Sequence, residues 1–195
     1  LVGDLQNDRT EDAVLLSDQG CQVFTFTTNG VVTDATRAAN LGNLAAIDGV
    51  LIDFDYTGKL GLLALQPGGK GPRYFRNLSS TFAMYFSEVN VTSGLPATVT
   101  GAAHLALEDL SGDELLDLIL ARENEPPLIF TRQRGGPFAA TNLGASLPAA
   151  SVVTTADLNN DSLPDVIAAT QGKIEISFGG TTPRATLALG GFTVS

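Results

Sequence analysis

Oxygen-bearing side chains recur at alternate positions in four short stretches of this chain. The most regular copy holds Asp157, Asn159, Asp161 and Asp165. With Asp157 as position 1, these fall at positions 1, 3, 5 and 9 of one loop. Alternate oxygens on a tight loop converge on one point, and the main-chain carbonyl of Leu163 at position 7 completes the set. Hard oxygen donors in a flexible loop suit Ca2+, whereas Mg2+ demands a stricter octahedron and keeps its water, which makes it the weaker candidate. The acids repel one another, and a divalent cation removes that penalty. The bland alternative is a set of ordinary Asx turns with solvated carboxylates.

The other three copies vary this pattern. The third holds Asp109, Ser111, Asp113 and Asp117, with Leu115 at the carbonyl position. The first holds Asp4, Gln6, Asp8 and Asp12, with Thr10 at the carbonyl position. Gln6 is longer than Asn and is expected to meet an ion poorly or through water. The second keeps Asp53 and Asp55 but has Thr57 at position 5, Lys59 at position 7 and Gly61 at position 9. It has lost two acids. The expectation is a metal-free loop in which Lys59 supplies positive charge.

An EF-hand also opens Asp-x-Asn-x-Asp, but it needs glycine at position 6 and glutamate at position 12. The fourth loop has Ser162 and Ala168 there, the third Glu114 and Leu120, the first Arg9 and Leu15. The segment that follows also has strand character, so an EF-hand is rejected.

The elements that position these loops repeat as well. A short apolar run follows each loop: residues 13–16, 62–65, 118–121 and 166–169. A polar turn comes next, then a segment rich in Phe, Val and Ile (22–27, 73–75, 128–131, 174–178), then a further turn. A fourth segment lies near 31–33, 82–89, 138–141 and 185–189. Apolar residues also precede the loops at 49–52, 102–107 and 152–156. Short, turn-bounded runs of this composition predict strands. No stretch sustains a helical period. Four strands per unit of about 40–50 residues is the signature of a β-propeller blade. A lone blade cannot bury both faces, and blades packed face to face can. Weak two-residue alternation agrees with sheets covered on both sides. The expected class is therefore all-β: a β-propeller of four-stranded antiparallel blades, about four of them present, over 1–195 as one segment. The repeats run approximately 1–48, 49–101, 102–151 and 152–195. Leu1 falls in or just after a first strand, so the first blade is expected to lack it, and the chain is expected to be a processed product or fragment.

At these residues the sequence resembles the FG-GAP or VCBS repeat family, whose loop reads Asp-x-Asp/Asn-x-Asp-Gly-x-x-Asp before an apolar strand. Ser177, Phe178, Gly179 and Gly180 are similar to the family's Phe-Gly element. Arg73 to Asn77, followed by Thr81 and Phe82, resembles a Tyr-x-Asn and Phe region of bacterial and cartilage-acidic-protein-like members. The resemblance implies an integrin-α-type propeller, typically seven-bladed, with calcium loops between the first two strands of a blade. Four repeats do not make seven blades: the chain is expected to need further blades from the same or another chain, as part of a longer propeller, the alternatives being closure as four blades or assembly of two copies into one ring. The glycine after the third acid is missing in three loops.

Composition narrows the function. Among 195 residues, 44% are hydrophobic and 16% charged, and the formal net charge is −10. Such a chain can bury a core, and its acidity repels phosphate backbones, so no nucleic-acid partner is expected. One cysteine, Cys21, excludes an internal disulfide and a multi-cysteine metal cluster; one histidine, His104, excludes a multi-histidine zinc site. No run reaches the ~18 apolar residues of a membrane helix. His104 and Cys21 are expected to be packed residues. Arg132 and Arg134 are expected to decorate a turn beside Gly135. Asn77, Asn90 and Asn160 each begin a glycosylation sequon.

No phosphate loop, nucleophile elbow or catalytic carboxylate pair stands out. The expected function is a non-catalytic, calcium-stabilised scaffold, extracellular or on the cell surface, binding a protein or glycan on a propeller face. The alternatives are a lectin or carbohydrate-active enzyme, or a subunit fragment of a large surface assembly. The absence of Trp and only three Tyr argue modestly against sugar binding.

Overall fold

The computed structural model of the chain describes residues 1–89, 94–134, 136–141, 144, 147–170, 173–179 and 186–190. Sixteen strands are described, and they form four antiparallel sheets of four strands each. The first sheet holds β1 (Val2–Gly3), β2 (Asp12–Leu15), β3 (Gln22–Phe26) and β4 (Val32–Asp34). The second holds β5 (Asp48–Ile52), β6 (Gly61–Leu65), β7 (Pro72–Asn77) and β8 (Phe86–Glu88). The third holds β9 (Ala102–Glu108), β10 (Asp117–Arg122), β11 (Leu128–Arg132) and β12 (Phe138–Thr141). The fourth holds β13 (Val152–Ala156), β14 (Asp165–Thr170), β15 (Lys173–Ser177) and β16 (Thr186–Gly190). Within each sheet, neighbours in sequence are neighbours in space, an up-and-down meander.

One expectation is corrected. The first sheet does not lack its first strand. β1 is short, but Val2 pairs with Ala13 and Gly3 with Asp12, and reciprocal bonds join Leu1 and Val14 (2.8 and 2.9 Å). The chain also makes one helical turn, α1 (Thr36–Ala39), too short for periodicity to reveal. Its C-cap Asn40 is left-handed (φ 62°), and Ala39 is buried beneath it.

The chain divides into two compact units, Leu1–Thr98 and Val99–Ser195, each holding two sheets. In the first, one apolar core joins both sheets: Val14 and Val23 from β2 and β3 meet Leu62, Ala64 and Phe75 from β6 and β7. Leu5, Leu41, Leu44 and Phe86 close it. Gly3 marks a close approach, since a Cβ there would lie 2.8 Å from the Leu60 side chain and 3.2 Å from that of Leu51. In the second unit Ile119, Ala121 and Ile129 pack with Val153, Val166 and Leu147. There β9 lies beside β13, and the Thr155 hydroxyl donates to Glu108 at 2.7 Å. Every residue of β6 is buried, and so are the first five of β10. Second strands covered on both faces read as continuous apolar runs, which is why alternation is weak in the sequence. Cys21 is buried; His104 is partly buried in β9, opposite Ala121.

Candidate metal-binding loops

The four acidic stretches are the connections between the first and second strands of their sheets. In each, the residue before position 1 faces position 9 across the ladder. Gly3 faces Asp12, Ile52 faces Gly61, Glu108 faces Asp117 and Ala156 faces Asp165. The loops thus have one length and one register.

They also share one backbone shape. Positions 4 and 6 have positive φ in every copy: Asn7 and Arg9 (55° and 71°), Tyr56 and Gly58 (54° and 76°), Gly112 and Glu114 (76° and 67°), Asn160 and Ser162 (61° and 67°). A non-glycine residue pays about 1–2 kcal/mol there. Among the described residues, six of the seven left-handed non-glycines lie in these loops. The missing family glycine therefore left the loop conformation unchanged.

The position-1 aspartate holds the strained residues. Its two oxygens accept the amides of positions 5 and 6. Asp4 takes Asp8 and Arg9 (3.0 and 2.9 Å); Asp53 takes Thr57 and Gly58 (2.9 and 2.8 Å). Asp109 takes Asp113 and Glu114 (3.1 and 2.7 Å); Asp157 takes Asp161 and Ser162 (3.1 and 2.9 Å). The position-5 acid then accepts the position-7 amide, at 2.9 Å in each case: Asp8 from Thr10, Asp113 from Leu115, Asp161 from Leu163. Hydroxyl and amide bonds from Thr10 hold the Asp8 carboxyl below the usual aspartate value.

Position 9 differs in character. Asp12, Asp117 and Asp165 are 1%, 0% and 0% exposed. Asp12 and Asp117 tie the loop to the third strand of their own sheet, and Asp165 ties it to Gly179, just beyond that strand. Asp165 accepts Leu158 N (2.9 Å) and Gly179 N (2.7 Å). Asp117 accepts Leu110 N, Ser111 N and Arg132 N (3.1, 3.0 and 3.0 Å). Asp12 accepts Leu5 N at 3.1 Å and a longer bond from Phe26 N at 3.4 Å. Burial pushes the Asp12 and Asp117 carboxyls above the usual range, although these amides pull the other way; neighbouring loop acids add to the rise. Gly179 has to be glycine, because a Cβ would sit 2.7 Å from the Pro164 carbonyl. That gives the Phe-Gly element a physical role: it brings a bare amide against the buried acid.

The donor chemistry fits Ca2+ in loops one, three and four. A carboxylate oxygen accepts more than one partner, so the amide bonds leave lone pairs at positions 1 and 5. Among the described residues no three Asp, Glu, His or Cys side chains converge closely enough to hold a metal unaided. The ligand set would also draw on the side chains of Asn159 or Ser111 and on the carbonyls of Leu163, Leu115 or Thr10. Gln6 is turned away, its Nε2 donating to Ser80 O at 3.1 Å.

Loop two is built otherwise. Lys59 does not neutralise it, since the ammonium bonds to the Ser79 carbonyl. Arg76, from β7, makes an ion pair with Asp55 instead. A long flexible lysine beside the loop has other acceptors in reach, whereas the β7 backbone aims Arg76 at Asp55. Gly61 leaves room for Tyr74, as a Cβ there would lie 2.5 Å from the phenol oxygen. Tyr74 stacks obliquely on Phe54, ring centroids 4.8 Å apart. Its phenol faces the Phe54 amide, the position-2 group that a carboxylate serves in the other loops. The one sequence signal for this substitution was the glycine at position 9.

Three further expectations meet the structure here. Arg132 does not decorate a turn: it ends β11 and is buried, while Arg134 is exposed. Asn77 is not an open glycan acceptor. Its Nδ2 donates to Leu5 O (2.8 Å) and Leu60 O (2.9 Å), joining the second sheet to loop one. Asn90, Gly135 and Gly180 lie outside the described residues.

Residues 109–168 match the family model described as an FG-GAP-like repeat. The match begins at position 1 of loop three and ends in β14, just past loop four. No curated protein matches the chain.

Proposed function

We propose that the chain is a segment of a non-catalytic, calcium-stabilised β-propeller that works as a binding scaffold outside the cell. The observation that carries this is the repetition of one loop conformation in all four sheets, with aspartates kept at positions 1, 5 and 9 of three of them. FG-GAP-like repeats are common in extracellular and surface proteins that bind other proteins, which supports a protein partner on a loop-bearing face. Side-by-side first strands within the second unit suit blades arranged about an axis. Among the described residues no helix is long and apolar enough to cross a membrane; this says nothing of a β-barrel.

Calcium in this role is structural. It would bind Asp157, Asn159, Asp161 and the Leu163 carbonyl, with their counterparts in loop three and with Asp4, Asp8 and the Thr10 carbonyl in loop one, and relieve repulsion between the acids. Sites of the extracellular class have dissociation constants near ~10⁻⁴–10⁻³ M, so millimolar calcium would fill them. Thermal unfolding with calcium and with chelator tests this, together with the bound stoichiometry. The expected results are a higher melting temperature in calcium and three ions per chain. An unchanged melt and no bound calcium would remove the metal from the account. A glycan array tests the partner: a specific sugar hit would favour a lectin over a protein scaffold.

A further inference from the structure

We propose that in loop two Arg76 takes the place of the cation and Tyr74 that of the position-9 acid, making it a permanently closed, calcium-independent copy. The inference rests on the calcium reading of the other three loops.

Three buried polar atoms meet at this loop: Asp55 Oδ2, Arg76 Nε and Tyr74 Oη. Arg76 Nε and Asp55 Oδ2 face each other, and Tyr74 Oη lies beside the Phe54 amide. Arg76 and Asp55 are in ion-pair contact. A guanidinium cannot lose its proton at accessible pH, so it is a resident positive charge in the sense that a metal ion would be. Tyr74 is 2% exposed and points at the place of the missing position-9 acid. Burial raises its phenol first, the charges of Asp55 and Asp53 raise it further, and Arg76 pulls it back.

The substitutions are mutually consistent. Removing the acids at positions 5 and 9 leaves Asp53 and Asp55, and one guanidinium balances Asp55. A calcium ion brought to this loop would face the charge of Arg76, and two of its usual acidic ligands are absent. Meanwhile the loop backbone stays in the shared conformation: Tyr56 and Gly58 are left-handed, and Asp53 still accepts Thr57 N and Gly58 N. The closed shape therefore depends on no added ion.

Residue-resolved amide exchange on the whole chain, in chelator and in calcium, tests this. In the native chain the Thr57 and Gly58 amides are expected to exchange at rates that calcium leaves unchanged within twofold. The Asp161 and Ser162 amides are expected to slow at least tenfold. In chelator, Arg76→Gln is expected to speed exchange at Thr57 and Gly58 at least tenfold and leave loop four unaffected. Arg76→Lys, which keeps the charge, is expected to restore most of the protection. Calcium-dependent slowing at Thr57 and Gly58 in the native chain overturns the proposal, as does unaltered exchange there in Arg76→Gln. If calcium slows no loop at all, the calcium reading fails, while the chelator comparison still decides the role of Arg76.

Discussion

Truncating Asp117 to alanine separates two roles that a loop acid can play. The buried carboxylate accepts three amides, from Leu110, Ser111 and Arg132, at 3.0–3.1 Å. Each buried amide left without an acceptor costs about 1–3 kcal/mol. Some of that is recovered, because the native carboxyl is itself held in an unfavourable buried place and because water can enter the vacated volume. The net loss is expected to be roughly 2–5 kcal/mol, larger than a typical point substitution. In a chain of this size that lowers the melting temperature by about 2–4 °C per kcal/mol, or roughly 4–20 °C. Asp109→Ala is the control. It also removes an acceptor from loop amides, but these are exposed and water replaces it, so the cost is expected to be about 0.5–1.5 kcal/mol. Denaturant unfolding of both variants in chelator is the assay. With calcium added at ~100 times the dissociation constant, a functioning site would contribute about 2.7 kcal/mol, and both variants should lose that increment. The reasoning is refuted if the two variants are equally stable in chelator. It is refuted as well if Asp117→Ala is as stable as the native chain whenever calcium is absent, since the residue would then be a ligand and no strut.

Other outcomes follow from the same contacts. Glu114→Gly and Ser162→Gly remove left-handed strain and should each stabilise by about 0.5–1 kcal/mol after the entropy gained by the unfolded chain, read by denaturant melts; a loss of stability would mean that these side chains hold the loop. Gly61→Ala should destabilise by about 1–3 kcal/mol, since its Cβ would meet both the Tyr74 ring and the Phe75 carbonyl, and a Tyr74→Ala background should recover only the side-chain part of that cost; an undiminished cost would place the clash at the carbonyl alone. Because burial raises the Asp117 carboxyl, the native chain holds its proton where the unfolded chain has lost it. Stability linked to this group is therefore present below the unfolded value of about 3.9 and declines as pH rises through the raised native value. In chelator, the stability of the native chain minus that of Asp117→Asn should fall across that window, and a flat difference would contradict the assignment. Burial also holds the Tyr74 phenol well above its ordinary value of about 10, so alkaline difference spectra of the native chain should match those of Tyr74→Phe until the chain unfolds.

The repeat itself was legible in the residues, down to the register of the loops. Asp at positions 1 and 9, separated by a fixed count and followed by an apolar run, leaves little choice. The count sets a hairpin connection, and the apolar run must enter a sheet. That is why the strands beginning at Asp12, Asp117 and Asp165 start at the last acid of each motif. The fourth strands were placed less well, since turns of varied length intervene: β8 is confined to Phe86–Glu88 within a segment expected from 82 to 89. The helical turn at Thr36–Ala39 has no periodic signal of its own; its buried Ala39 packs in the core of the first unit.

What composition and spacing determined, then, was the number of sheets, the order of their strands and the oxygen character of the loops, because these depend on neighbours along the chain. The assignment of roles inside each loop was decided only in three dimensions. Position 9 is buried because the third strand and the residues just beyond it close over it, and the amides of Arg132 and Gly179 arrive from residues 15 and 14 further along the chain. Arg76 displaced Lys59 as the partner of loop two for the same reason: charge near an acid in sequence counts for less than a guanidinium that a neighbouring strand aims at it.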